Sequence, residues 1–277
     1  MDPRYLYGLV LLSALGHAVW NALLKRSTDR LIMMTGMRCV GMIYGVVALS
    51  FTGWPSPSSI PWLISAAVAL WIYQYLLVAS YTAGDLSFVY PLARGIAPVL
   101  LSVMSFLVIG ETLSARQTIG VILVSAGVAL LAAAGRGGAL GLLYAILTGA
   151  SVATYSLLSG GGVRLSGNIL AFAAALEVVN GVGVIGYSAC ARGRTLAPAL
   201  IGLGSTGLSA GVVSVAGYLA FLLAAHYLPL GPVSAIRECS ALFGVVIGVV
   251  VLKEGFGAVR ATAALLMTVG VFLLAAL

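Results

Sequence analysis

The chain has 277 residues, of which 61% are hydrophobic and only 8% are charged, and its formal net charge is +7. Soluble domains carry roughly 25% charged residues, so this composition excludes an ordinary water-soluble fold and predicts an all-α integral membrane protein. The basic residues are scattered through short loops and helices, so the net charge does not indicate a nucleic-acid partner. A spanning helix needs roughly 20 apolar residues, which leaves room for about ten.

Apolar runs separated by short breaks containing glycine, proline or charged residues predict the spans. The first run continues past His17 without a small-residue cleavage site, so it is predicted to be a spanning helix rather than a signal peptide. The runs are longer than barrel strands and do not alternate, which favours helices. The predicted spans are 5–24, 31–51, 61–81, 86–109, 115–134, 139–159, 168–190, 205–226, 231–252 and 257–277.

Polar residues on the first predicted helix share one face. Ser13, His17 and Asn21 recur every four residues, the spacing of neighbours on a helix surface. An unperturbed histidine titrates near pH 6.5, which makes His17 a candidate for proton coupling. The alternative is a histidine that is simply hydrogen-bonded to a neighbouring helix. Asn21 is a candidate for substrate binding.

Aromatic and amide side chains mark three further predicted helices. Such residues either line a cavity or, near the ends of a span, form an interfacial aromatic belt. Both interpretations stay open for these side chains, which are candidates for substrate binding. They are Trp71, Gln74 and Tyr75 on helix 3, Tyr155 on helix 6 and Tyr218 on helix 8.

Five charged residues lie inside predicted spans. Each costs about 2.5–3.5 kcal/mol at a helix centre on insertion scales, so each is expected to face a cavity or a partner. Arg38 and Glu177 lie at comparable depths of helices 2 and 7, which predicts a structural ion pair. Snorkelling to the interface, or handling of substrate or protons by Glu177, is the alternative. The other three are Arg94, Arg237 and Glu238.

Arg94 and Arg237 are candidates for binding an anionic substrate, because guanidinium groups bind carboxylates and phosphates in bidentate fashion. Alternatively, they cap carbonyls freed by nearby prolines or pair with Glu238. Glu238 follows Arg237 directly, and adjacent helical residues point about 100° apart, so Glu238 needs a partner elsewhere. It is a second candidate for carrying a proton. The five charges sum to +1, which favours an anionic or zwitterionic substrate.

An internal repeat relates the two parts of the chain. Arg94 and Arg237 lie 143 residues apart, and so do Glu111 and Glu254. The two glutamates begin turns and are expected to cap or stabilise them. A repeat of five helices, an odd number, makes the second copy inverted in the membrane. The predicted fold is therefore two inverted five-helix repeats, 1–135 and 136–277, around a central cavity.

The segment PLARGIAPVLLS, the following GE turn, and the second copy SAIRECSALFG with LKEG resemble the EamA-type members of the drug/metabolite transporter superfamily. The opening helix ALGHAVWNALLK fits the same family. The resemblance implies a ten-helix bundle whose cavity is lined mainly by helices 1, 3, 4, 6, 8 and 9, and it implies export or exchange of metabolites. In the small four-helix members a glutamate precedes a lysine by eight residues; here Lys25 matches that lysine, and His17 stands at the glutamate position.

The sequence thus predicts a secondary transporter of small organic anions or zwitterions such as amino acids, working by alternating access with or without proton coupling. The alternative is efflux of drugs or cations by the same fold; an enzyme or a non-transporting receptor is disfavoured. We expect no cofactor and no metal, the inner membrane of a bacterium or archaeon, and a monomer or homodimer. The charge bias of the loops places both termini outside, whereas the family resemblance implies that both lie inside.

Overall fold

The computed structural model describes residues 3–83, 86–134, 138–243 and 257–275, and throughout these ranges the chain folds into helices joined by short turns. A further helical stretch covers 240–243, and three 3₁₀ turns occupy Pro57–Ser59, Leu131–Ala134 and Gly193–Thr195. The helices are α1 (Pro3–Arg26), α2 (Arg30–Thr52), α3 (Ile60–Ala83), α4 (Leu86–Ile109), α5 (Ala115–Leu130), α6 (Ala139–Leu165), α7 (Ile169–Arg192), α8 (Leu196–Gly202), α9 (Gly204–Tyr227), α10 (Leu230–Arg237) and α11 (Ala258–Ala275).

Seven helical segments of the described chain are long and apolar enough to cross a membrane. They indicate a membrane-embedded protein, as the composition predicts. Helix α5, at 16 residues, is shorter than these spans. The seven are Arg30–Thr52, Pro57–Leu77, Phe88–Ile109, Ala139–Leu165, Ile169–Gly202, Gly204–Tyr227 and Ala258–Ala275.

Side-chain caps and glycines explain where several helices begin and end. Asp29 caps α2 by accepting a hydrogen bond from the Ile32 amide at 3.2 Å. Ser114 and Gln117 form a reciprocal capping box at the start of α5, which satisfies amides that have no partner inside the helix. Gly53 ends α2 at a φ of 70°, a conformation that L side chains rarely adopt.

Extensive contacts join α2 to α7, α3 to α6, α1 to α9, α5 to α11, and α4 to both α5 and α6. Helix α10 packs against α1 and α4. Glycines allow the closest of these approaches: a Cβ atom at Gly127 would lie 2.6 Å from Met267 Cγ, and one at Gly270 would lie 2.8 Å from the carbonyl oxygen of Gly120. Small residues at helix crossings are the usual means of close packing in membranes.

The predicted ninth span, 231–252, is not continuous. Helix α10 ends at Arg237, a turn occupies residues 238–239, and helical structure resumes at 240. The Cys239 amide donates to the Ile236 carbonyl at 3.1 Å, a tighter pattern than an α-helix makes. The turn coincides with two adjacent charged residues that contact different helices. Residues 244–256, including Glu254, lie outside the described ranges.

Two further boundaries differ from the prediction. The segment containing ARGRTLAP was predicted to be a loop, but its second part forms the short helix α8. Helix α6 was predicted to end at 159 and instead continues to Leu165. It continues through three consecutive glycines, Gly160 to Gly162, because they are packed against Trp62, Phe172 and Leu230. Tertiary packing there outweighs the weak helix propensity of glycine.

Candidate functional site

A cavity of about 110 Å³ lies among α1, α2, α3, α6, α7, α9 and α10. Its wall combines charged, amide and aromatic side chains with apolar ones, the usual composition of a small-molecule site. Its volume lies below the range usual for drug-sized ligands. The lining residues are Ser13, His17, Trp20, Met34, Met37, Arg38, Leu70, Tyr73, Gln74, Tyr155, Leu176, Glu177, Asn180, Ser214, Gly217, Tyr218 and Arg237.

Arg38 and Glu177 form an ion pair at the wall of this cavity. Arg38 Nη1 lies 3.0 Å from Glu177 Oε2, and Arg38 Nη2 donates to Ser214 Oγ at 2.9 Å. The side chains are 15% and 5% exposed. Each charge is therefore compensated by its partner. The pair also connects α2 to α7.

An amide pair lies on the same side of the cavity. Gln74 Nε2 donates to Asn180 Oδ1 at 3.2 Å, and the indole Nε1 of Trp71 lies 3.4 Å from the Asn180 carbonyl oxygen. Gln74 lines the cavity, whereas Trp71 does not; it is 36% exposed and packs against Gly183. The prediction that Tyr75 lines the cavity is wrong. It is 72% exposed on the outer surface, because one helical residue after Gln74 the side chain has turned by about 100°.

Arg94, Glu238 and His17 form a chain of contacts that begins at the cavity wall and continues into the protein. Arg94 Nε lies 2.5 Å from Glu238 Oε2, and both side chains are at most 2% exposed. Arg94 Nη2 lies 3.1 Å from Nε2 of His17. His17 lines the cavity, but Arg94 and Glu238 do not. The two proton-coupling candidates His17 and Glu238 are therefore connected through Arg94, which is ion-paired within the protein but whose buried Nη1 has no hydrogen-bond acceptor among the described residues.

Arg237 has a different environment. Its Nη2 donates to the hydroxyl of Tyr155 at 3.1 Å, and its guanidinium lies over the Phe221 ring at 4.2 Å from the centroid. Such stacking on an aromatic face is a favourable setting for a guanidinium group. Arg237 is 4% exposed and lines the cavity. Among the described residues it has no ion-pair partner, and its buried Nε has no hydrogen-bond acceptor.

The remaining predicted candidates divide between the cavity and the surrounding packing. Tyr218 lines the cavity and shares a 2.8 Å hydrogen bond with Ser159. Asn21 does not line it; its amide donates to the His17 carbonyl at 2.8 Å within the same helix. The prediction of Asn21 as a substrate ligand thus has no support in this geometry. Phe221, which sequence reasoning did not select, supplies the ring beneath Arg237.

Glu111 caps helix α10 rather than α5, the helix that follows it in sequence. Its Oε2 accepts a hydrogen bond from the Leu230 amide at 2.8 Å, at the start of α10. Its Oε1 lies 2.9 Å from Arg164 Nη2, and Arg164 also donates to the carbonyl of Leu228 at 2.7 Å. This cluster joins the ends of α4, α6, α9 and α10. No group of three or more potential metal ligands occurs in the part of the chain that the structure describes.

Comparison with known proteins identifies the fold but not a family. No family model matches the chain, and no curated protein matches it. Twenty-eight chains of solved structures match. One of them, a crystal structure, has a TM-score of 0.73 at 16% sequence identity, and the match covers 98% of this chain and 96% of that one. At this identity the match shows a shared fold along nearly the whole length.

Proposed function

We propose that this chain is a secondary transporter that carries small organic anions or zwitterions, such as amino acids, by alternating access. The observation that carries the proposal is Arg237. It is a buried arginine on the wall of a central cavity, with no acidic partner among the described residues. A buried cation needs a compensating charge, and a carboxylate in the cavity would supply it. Tyr155 and Tyr218 would hold the less polar part of the substrate.

The helix contacts support two inverted five-helix repeats, 1–135 and 136–277, as the transporting unit. Exchanging α1 with α6, α2 with α7, α3 with α9, α4 with α10 and α5 with α11 maps each of the most extensively packed helix pairs onto a pair that is also in contact. The pair α1–α9 becomes α6–α3, the pair α4–α6 becomes α10–α1, and α2–α7 and α5–α11 exchange with themselves. A two-fold relation between the repeats would produce these correspondences among the most extensive contacts. Inverted repeats place the substrate between them.

Ion pairs are concentrated where the proposed repeats meet. All four ion pairs among the described residues join a side chain from 1–135 to one from 136–277. Ion pairs at an interface between two rigid bodies can repack when the bodies change from one arrangement to another. An interface of this kind suits two halves that rock against each other. The pairs are Arg38–Glu177, Arg94–Glu238, Arg164–Glu111 and Arg192–Asp29.

Efflux of drugs or lipophilic cations by the same fold is the second candidate, and the cavity disfavours it. A cation would lie close to Arg237 and Arg38, of which only Arg38 is paired with an acid among the described residues. The volume of about 110 Å³ also favours a small substrate over a drug-sized one. An amino acid or a small carboxylate satisfies both the charge and the size of the site.

Flux through reconstituted vesicles tests the proposal. Purified protein in liposomes should take up labelled L-phenylalanine, L-glutamate or succinate from a panel that also contains tetraphenylphosphonium. Arg237→Ala should abolish that uptake, whereas Arg194→Ala, at an exposed arginine in a turn, should leave it unchanged. Chemical conversion of a panel member would indicate an enzyme. Flux of the phosphonium cation that survives Arg237→Ala would support the cation-efflux alternative.

A further inference from the structure

The contact between His17 and Arg94 indicates the protonation state of the imidazole. Its Nε2 lies 3.1 Å from Arg94 Nη2, and a guanidinium group donates hydrogen bonds but cannot accept them. Nε2 must therefore be the acceptor, which leaves the single imidazole proton on Nδ1. A neutral His17 in this tautomer is the form that the contact requires.

A second proton on His17 would bind at Nε2 and would break this hydrogen bond. Arg94 would remain bound to Glu238 at 2.5 Å. The imidazolium would then add a positive charge beside Arg94 and Arg237. Several charged and titratable groups surround the imidazole or face it across the cavity. The charged ones are Arg94, Arg237, Glu238, Arg38 and Glu177, and the phenols are those of Tyr73, Tyr155 and Tyr218.

Both carboxylates of this set already have cationic partners. Glu177 is paired with Arg38, and Glu238 is paired with Arg94 and is fully buried. An empty cavity therefore offers no free negative charge to an imidazolium at position 17. A carboxylate bound at Arg237 would supply one inside the same cavity.

We propose that His17 takes up the coupling proton when an organic anion binds, so that anion and proton occupy the cavity together and cross the membrane in the same direction. This inference rests on the proposed function and adds to it the identity of the proton-binding atom, His17 Nε2. The proton enters from the cavity, and it is released when the anion leaves.

Reciprocity fixes the sign of the pH dependence. Because anion binding favours protonated His17, protonation must favour anion binding by the same factor. The affinity for the anion should therefore rise as the pH falls, by at most about tenfold per pH unit for one linked proton. A site that used Arg237 alone would show no such dependence, since arginine stays protonated throughout.

The chain contains only two histidines, His17 and His226, so in the His226→Gln variant both imidazole signals of a ¹⁵N spectrum, from Nδ1 and Nε2, belong to His17. His226 Nδ1 contacts the Val163 carbonyl and does not line the cavity. With benzoate as the probe, the free protein should show a neutral ring with its proton on Nδ1. Added benzoate at pH 6 should convert it to imidazolium. Titration calorimetry in buffers of different ionisation enthalpy should show proton uptake of up to one per benzoate.

A conservative variant separates proton binding from positioning. In His17→Gln the amide oxygen can still accept from Arg94, but the side chain cannot hold a proton. Benzoate should bind this variant without proton uptake and with an affinity independent of pH between 6 and 8. A proton on Nε2 in the free protein, benzoate binding without proton uptake, or pH dependence that survives His17→Gln would overturn the inference. Benzoate binding that is absent, or unchanged in Arg237→Ala, would instead overturn the proposed anion site, and the inference with it.

Discussion

Arg94 and Arg237 lie 143 residues apart, at the same position of the proposed internal repeat, and are 2% and 4% exposed. Their surroundings nevertheless differ. Arg94 is paired with Glu238 and lies behind the cavity wall, whereas Arg237 is held by Tyr155 and Phe221 and faces the cavity. Glu238 corresponds in the proposed repeat to Gly95, so one copy carries a carboxylate that the other copy lacks. One arginine is thereby assigned to structure, and the other is available for a ligand.

The largest expected effect is on stability. Arg94→Ala would leave the Glu238 carboxylate buried without its cation, and breaking a buried pair in this way costs about 3–5 kcal/mol. Arg237→Ala breaks no ion pair among the described residues, so it should lower the free energy of unfolding distinctly less than Arg94→Ala does. Equilibrium unfolding in detergent measures both. Equal losses in the two variants would contradict the different roles assigned to the two arginines.

A double replacement sharpens the same comparison. Arg94→Met with Glu238→Met substitutes apolar side chains for both partners, and such replacements are often neutral or stabilising. The free energy of unfolding of the double variant should therefore be close to that of the wild type and much larger than that of Arg94→Ala. A double variant as unstable as Arg94→Ala would show that the pair is not the source of the loss.

The Arg38–Glu177 pair at the cavity wall should contribute less to the free energy of unfolding than the Arg94–Glu238 pair does. Arg38 is 15% exposed, so after Glu177→Gln its charge remains partly solvated. The expected cost is about 1.5–3 kcal/mol, the range for hydrogen bonds to charged groups. The same unfolding measurement applies. A loss larger than that of Arg94→Ala would reverse the ranking of the two pairs.

The smallest expected effect concerns how Arg237 is held. Tyr155→Phe removes one hydrogen bond to Arg237 and keeps the ring, which should weaken benzoate binding by about 1 kcal/mol, roughly fivefold. Tyr75→Phe is the matched control. Tyr75 was also predicted to bind substrate, but it is 72% exposed and does not line the cavity. Calorimetric titration of both variants checks this. An effect at Tyr75 equal to that at Tyr155 would contradict the placement of the site.

The sequence predicted the features that follow from composition and local chemistry. Apolar runs located most of the helices, and charged residues inside them marked Arg38 and Glu177, which lie together in the structure. It could not predict which residue pairs with Glu238, because α4 and α10 come together only in the folded protein. It also could not distinguish Gln74 from Tyr75, because α3 is apolar all round and shows no dominant face. The break after Arg237 has no local signal, since apolar residues continue beyond it.

The most direct test of the account is benzoate binding at pH 6 to the wild type, to Arg237→Ala and to the double variant Arg94→Met/Glu238→Met. Loss of a charge-assisted hydrogen bond corresponds to about 1.5–3 kcal/mol, roughly 10- to 150-fold in affinity. We predict a loss of this size in Arg237→Ala and no loss in the double variant, which retains Arg237 and leaves His17 Nε2 free to accept a proton. Benzoate binding that survives Arg237→Ala but is lost in the double variant would contradict the assignment of the ligand to Arg237.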